Sequence, residues 1–207
     1  MALRPVLAGC YLMTIAPSPQ LTPMPDSLAL TIRDLEQLQQ QYPHYRMELV
    51  NGEIRVMSPS GYESDEVALE FGRQLSNWVR PRRLGHVTGS SAGFQLPNGD
   101  IRSPDVAFVP SAQLHKSPRS YAAVVPALIV EVKSPSDSLS SLRAKIQDFL
   151  TLGSRVGLLI NPEQHGVEVY RLAHDTLILK DGDYLTIPEL LPGWRVAITE
   201  LWAPEFD

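Results

Sequence analysis

Apolar residues recur along this chain in two rhythms, and the rhythms divide it into elements. Between Tyr62 and Val79, the residues Val67, Leu69, Phe71, Leu75, Trp78 and Val79 follow a helical spacing, and Pro81 ends the run. A second helical pattern turns Leu139, Leu142, Ile146, Phe149 and Leu150 inward. Ser136 or Asp137 stands at its head as a cap, and Gly153 follows its end at about Leu152. A short helix is expected after Thr31, with Asp34 at the capping-box position and Leu35 and Leu38 on one side. The period-two signals begin with a hairpin, in which residues 45–50 and 53–57 flank Asn51-Gly52, a pair suited to the positive φ of a type I′ turn. Residues 85–88, 93–96, 103–109 and 127–133 then read as strands, with Asn98-Gly99-Asp100 turning between the second and third. Residues 155–160, 167–172 and 176–180 are further strands, and 198–202 a final helical turn.

The core order is therefore helix, three or four strands, helix, strand, with a hairpin added at each end. Strands in succession followed by a crossover through a helix predict an α/β fold with a mixed sheet and helices packed on it. Residues 14–29 hold four of the 18 prolines and no steady periodicity, so 1–29 reads as a leader or arm and 30–207 as one domain.

Composition adds limits. The 207 residues are 43% hydrophobic and 20% charged, ordinary for a globular protein, and no apolar run approaches the roughly 18 residues of a membrane span. The net charge of −5 gives no general support to nucleic-acid binding, and the dense basic cluster, Arg80, Arg82 and Arg83 with Arg73 upstream, reads first as a solvated helix end. A single cysteine, Cys10, excludes an internal disulfide or a cysteine-based zinc site and fits a reducing cytoplasm. Leu7-Ala8-Gly9-Cys10 mimics a lipoprotein box, but only six residues precede it, too few for an apolar region of about 7–15. Met13 is an alternative start that would delete it.

The candidate chemistry lies in three charged residues. Asp105 heads the apolar run SPDVAFV, and Glu131 and Lys133 close ALIVEVK. Alternation along a strand puts Ile129, Glu131 and Lys133 on one face and Val130 and Val132 on the other. Charges at the end of a greasy strand need partners. A site in which Asp105 and Glu131 share a hard cation, with Lys133 facing an anionic substrate, supplies them; a structural ion pair is the plainer reading. Oxygen ligands without His or Cys suit magnesium or manganese, and such an ion beside an ammonium suits phosphodiester hydrolysis.

Pro104-Asp105 followed by Glu131-Val132-Lys133 resembles the PD-(D/E)xK nuclease superfamily, whose core runs helix, three strands, helix, strand. Within it, the segments RMELVNGEI, MSPSGYES, RSPDVAFV, EVKSPSDSL and INPEQHGVEVYRL resemble the bacterial Uma family, described as "putative restriction endonucleases". The resemblance covers about 30 to 202. It implies a restriction-endonuclease-like core and a Mg2+- (or Mn2+-) dependent endonuclease acting on DNA. Asp105 and Glu131 would be its metal ligands and Lys133 its catalytic lysine. It also implies an acidic residue from the first core helix, assigned to Glu63, with Glu48 as a further acid. Lys145 falls on the inward side of its helix, unusual for a lysine without a charged partner. Relatives carry a tyrosine four residues after that lysine, where this chain has Phe149. Nucleases that cut both strands often pair their sites, so a homodimer is expected. The rival reading is a nuclease-fold binding or interaction protein without turnover.

Other motifs resolve into plainer roles. Gly89-Ser90-Ser91-Ala92-Gly93 satisfies the serine-hydrolase pattern G-x-S-x-G, but strand signals rather than a helix follow it. His44, His86, His115, His165 and His174 lack metal spacing, and Trp78, Trp194 and Trp202 read as packing residues.

Overall fold

A computed structural model describes residues 29–206. The Cys10 box, Met13 and all but the last residue of the proposed leader lie outside the described residues. The elements run α1 (Ile32–Gln41), β1 (Arg46–Val50), β2 (Glu53–Met57), α2 (Tyr62–Val79), β3 (Gly85–Gly89), β4 (Phe94–Gln95), β5 (Ile101–Arg102), β6 (Val106–Pro110), β7 (Leu128–Val132), α3 (Leu139–Leu152), β8 (Val156–Asn161), β9 (Gly166–Tyr170), β10 (Leu177–Lys180), β11 (Tyr184–Thr186) and β12 (Arg195–Ala197).

The central sheet has the order β10-β9-β8-β7-β6-β3. Its pairs are antiparallel except β7 with β8, which are parallel and joined through α3. Thus α2-β3-β6-β7-α3-β8 is the helix, three strands, helix, strand core read from the sequence. Both sheet faces are covered, which explains strands of nearly unbroken apolar character. Val106, Phe108, Leu128, Val130, Val132, Leu158 and Ile160 pack with Val67, Phe71 and Leu75 of α2. The alternate residues Ala107, Val109, Ile129 and Leu159 pack with Ile146, Phe149 and Leu150 of α3. Glu131 takes the next position on that second face, so an acid is buried where the pattern calls for an aliphatic residue.

The helix α3 approaches the sheet over Gly157, which stands beside Ile129 in the parallel pair. A Cβ there would lie 2.4 Å from Cγ2 of Ile146. Replacing Gly157 with Val is expected to push α3 outward and destabilise the protein by about 1–3 kcal/mol, the usual range for overpacking. A thermal melt checks it, and an unchanged midpoint would mean that α3 seats elsewhere.

A second sheet, β2-β1-β5-β4, lies beside the first. Asn51 (φ 52) and Gly52 (φ 77) form the hairpin turn in the left-handed region, as Asn-Gly predicts. The backbone N–H of Asn51 donates to Asp100 Oδ1 at 2.8 Å, which fastens the hairpin to the β4–β5 turn. On one hairpin face Met47 and Ile54 pack with Leu35, Leu49 and Ile101. The α1 start is as expected, since Asp34 Oδ2 accepts the Thr31 N–H at 2.7 Å and its hydroxyl at 2.6 Å.

Several expectations are corrected. Leu69 is 71% exposed, because it sits two positions from both Val67 and Phe71 and a helix turns about 100° per residue. The α3 cap is Ser138, not Ser136 or Asp137; Asp137 Oδ2 instead accepts the Ser134 N–H at 2.9 Å in the preceding turn. The strand expected over 103–109 begins at Val106, and Ile101–Arg102 is a separate strand of the hairpin sheet. The three-residue strands β11 and β12 gave no periodic signal. No helix among the described residues is long and apolar enough to cross a membrane.

Candidate active site

The antiparallel register of β6 and β7 sets Val106 opposite Val130. Continued by one residue, it brings Asp105 abreast of Glu131. Asp105 Oδ2 accepts the Val132 N–H at 2.8 Å, which holds that carboxylate at the end of the sheet. Glu131 is 3% exposed. Both acids line an open cavity of about 380 Å³, shared with Glu48 and Arg46 from the hairpin and Lys145 from α3.

Lys145 is the centre of the polar network. Its Nζ donates to the Ser103 carbonyl at 3.0 Å and lies 3.0 Å from Glu131 Oε1 and 3.4 Å from Glu48 Oε1. Glu48 Oε1 accepts the Ser103 N–H at 2.7 Å, so one residue preceding Pro104 ties the hairpin acid to the helix ammonium. Arg102, 3% exposed, completes the group: its Nη1 reaches Asp148 Oδ2 at 3.2 Å, and its Nε lies 3.6 Å from Glu48 Oε2. Its guanidinium stands 5.9 Å over the Phe149 ring.

Burial raises the Glu131 carboxyl to about 8, with Lys145 opposing and Asp105 adding to the rise. Burial also raises Asp105, against its backbone hydrogen bond from Val132 and the charge of Lys145. For Lys145 burial acts downward, but Glu131, Glu48 and Asp105 outweigh it and leave the ammonium raised.

The donor set fits a hard divalent cation. Glu131 Oε1 is buried and in ionic contact with Lys145, yet off the hydrogen-bond axis and without a hydrogen-bond partner. An acceptor in that condition is what a cation would satisfy. Among the described residues no three His, Cys, Asp or Glu side chains converge as a ready cage. Magnesium needs none, since one or two carboxylates with water and substrate oxygens commonly hold it.

The sequence-predicted residues divide accordingly. Asp105, Glu131, Glu48 and Lys145 come together. Lys133 stands one residue beyond β7, its Nζ 2.8 Å from Glu163 Oε1 and 3.4 Å from the Ser134 carbonyl, and it does not line the cavity. Glu63 is exposed in the first turn of α2 and does not line it either. Arg102 and Asp148 escaped sequence reasoning. The signal for Asp148 was its place three residues after the inward Lys145, on the same helix face; nothing local pointed to Arg102. The basic cluster behaves as a helix end, with Arg82 3.5 Å over the Trp78 ring. Ser91 lies in a loop between two strands.

Residues 32–199 match the sequence profile of the Uma2 family, described as "Putative restriction endonuclease". A crystal structure described as a "putative nuclease belonging to DUF820", from Anabaena variabilis ATCC 29413, has a similar fold. It superposes at a TM-score of 0.71 with 20% identity, covering 83% of this chain and 97% of that one. A DrdV–DNA complex matches only in part, at a TM-score of 0.34 and 11% identity over 57% of this chain and 12% of that one, too little to bear on the fold. No functionally curated protein matches. On its profile match, across most of its length, this chain belongs to the Uma2 family, described as putative restriction endonucleases.

Proposed function

We propose that this protein is a divalent-metal-dependent endonuclease that hydrolyses phosphodiester bonds of DNA. The observation that carries the reading is the buried oxygen of Glu131 that has no hydrogen-bond partner, at the floor of an open cavity, abreast of Asp105 and in ionic contact with Lys145. Asp105 and Glu131 would hold magnesium or manganese, which when bound lowers the pKa of a water and offsets charge on a phosphoryl group. Glu48 orients Lys145 through ion pairing and through Ser103, whose N–H and carbonyl engage one of them each. Lys145 supplies fixed positive charge at the cavity floor, where charge builds on the phosphate oxygens during displacement. Arg102 holds Glu48 from the far side. A homodimer would let two such cavities cut both strands, and light scattering decides that point. The single cysteine is the ground for placing the protein in a reducing cytoplasm.

The test is nicking of supercoiled plasmid with Mg2+ or Mn2+, with a chelated control and Asp105→Ala in parallel. Metal-dependent cleavage by the wild type alone supports the reading. Binding without cleavage would favour the non-catalytic alternative, and cleavage persisting in the variant would betray a contaminant.

The two lysines are separable by experiment. Lys145→Met is expected to lower the cleavage rate on the order of 10²-fold, the scale of one lost preorganised charge contact. Lys133→Met, which removes a partner of Glu163, is expected to cost less than about tenfold on the same scale. Single-turnover rates measure both, and the reverse order would return the catalytic assignment to Lys133.

A further inference from the structure

We infer that Arg46 and Arg55, on one face of the β1–β2 hairpin, are the residues that hold the phosphate backbone of the nucleic acid over the carboxylate cavity. This inference rests on the nuclease reading and specifies how a polyanion reaches an acidic site.

Strand register places the two arginines. Arg46 pairs with Met57 and Glu48 with Arg55, so these four side chains share one hairpin face, while Met47 and Ile54 share the other with the α1 core. The first face walls the cavity that contains Asp105 and Glu131. Four acids line that cavity, Glu48, Asp105, Glu131 and Asp137, and they repel a phosphodiester. Four cations line it too, but two are committed. Arg102 engages Glu48 and Asp148, and Lys145 engages Glu131, Glu48 and the Ser103 carbonyl. Arg46 and Arg55 are exposed at its rim, and neither has a carboxylate within ion-pair distance among the described residues. They are the cations of this cavity whose charge no carboxylate offsets, and guanidinium geometry suits phosphate oxygens.

Arg46 has a second relevant contact. Its Nη2 donates to the backbone carbonyl of Ser90, in the loop after β3. Ser90 lines a neighbouring groove of about 380 Å³ between α2 and β3, and Asp105 lines this groove as well as the hairpin cavity. The Arg46–Ser90 contact thus stands where two grooves meet at Asp105. A path continuing on both sides of the reactive acid fits a polymer better than a mononucleotide. Arg46 is close enough for its charge to act on Asp105, in the direction that favours the carboxylate.

The experiment is equilibrium binding of a fluorescently labelled DNA duplex, by anisotropy, without metal so that no cleavage intervenes, at several KCl concentrations. Wild type, Arg46→Ala/Arg55→Ala, Arg46→Lys/Arg55→Lys and Arg82→Ala are compared, with circular dichroism to verify folding. The double alanine variant is expected to bind at least about tenfold more weakly, with the log–log salt slope reduced by about 1–2, as for loss of one or two phosphate contacts. The lysine pair should keep the slope and recover part of the affinity, and Arg82→Ala should match wild type. Equal affinity and slope for wild type and the double alanine variant would overturn the inference, as would no binding by the wild type. Wild-type cleavage with unaltered binding by the double variant sinks this inference alone. Arginine-dependent binding with no cleavage under any metal sinks the nuclease reading and leaves the arginines as binding residues.

Discussion

Glu131→Gln is expected to reduce metal-dependent DNA cleavage by about 10²–10³-fold while leaving the fold intact, and Asp105→Asn should do nearly the same. Both changes preserve side-chain volume, so neither opens a cavity. Each removes the charge with which the carboxylate would hold a cation. Glu131 is 3% exposed, and its amide replacement leaves a neutral oxygen in the place of the carboxylate beside Lys145. Melting curves in chelator should therefore show Glu131→Gln at least as stable as wild type. Loss of activity without loss of stability separates a functional carboxylate from a structural one. Manganese should raise the wild-type midpoint and leave that of Glu131→Gln unmoved, a readout independent of turnover. Glu63→Gln is the comparison: its carboxylate lies outside the cavity, and cleavage comparable to wild type is expected. Full activity in Glu131→Gln would remove this acid from the mechanism.

The second large effect is a pH dependence of metal-free stability. Glu131 titrates at about 8 in the fold against an ordinary value of 4.5. The folded state therefore binds a proton that the unfolded chain releases across that window. The sign follows: the contribution of the protonated side chain is complete below about pH 4.5 and is lost as pH rises through about 8. The slope approaches, at its limit, about 1.4 kcal/mol per pH unit. Asp105 is shifted in the same direction and adds to the fall. Denaturant unfolding in chelator between pH 5 and 9 should show stability declining, and Glu131→Gln should flatten most of the decline. A flat wild-type profile, or one that rises, would mean that Glu131 is ionised throughout and already matched to Lys145.

Much of the fold is legible in the residue order, and the successes share a cause. The bounds of α2 follow from apolar spacing ended by Pro81, and the hairpin from Asn51-Gly52; both signals act over a few residues. The inward position of Lys145 is readable too, since a lysine between Leu142 and Phe149 on an inward helical stripe has few places to go. The shortfalls are of another kind. Arg102 precedes Ser103-Pro104-Asp105 and looks like a loop cation, yet it is buried because a short strand carries it between Glu48 and Asp148. Lys133 follows Glu131 at strand spacing, yet the chain leaves the sheet after Val132, and Glu163 in the turn after β8 takes the ammonium.

By itself the sequence determined the order of helices and strands, the hairpin turn, the apolar faces of α2 and α3, and the meeting of Asp105 with Glu131 at one strand end. Those properties depend on periodicity, turn chemistry and neighbouring strands. Only the tertiary structure decided that the ammonium against the acids is Lys145, that Glu48 and Arg102 brace it, and that the hairpin turns two arginines over the cavity. Such pairings depend on how close α3 can come to the sheet over Gly157 and on where the second sheet lies beside the first. Packing across the whole molecule sets those distances, and no local pattern carries them.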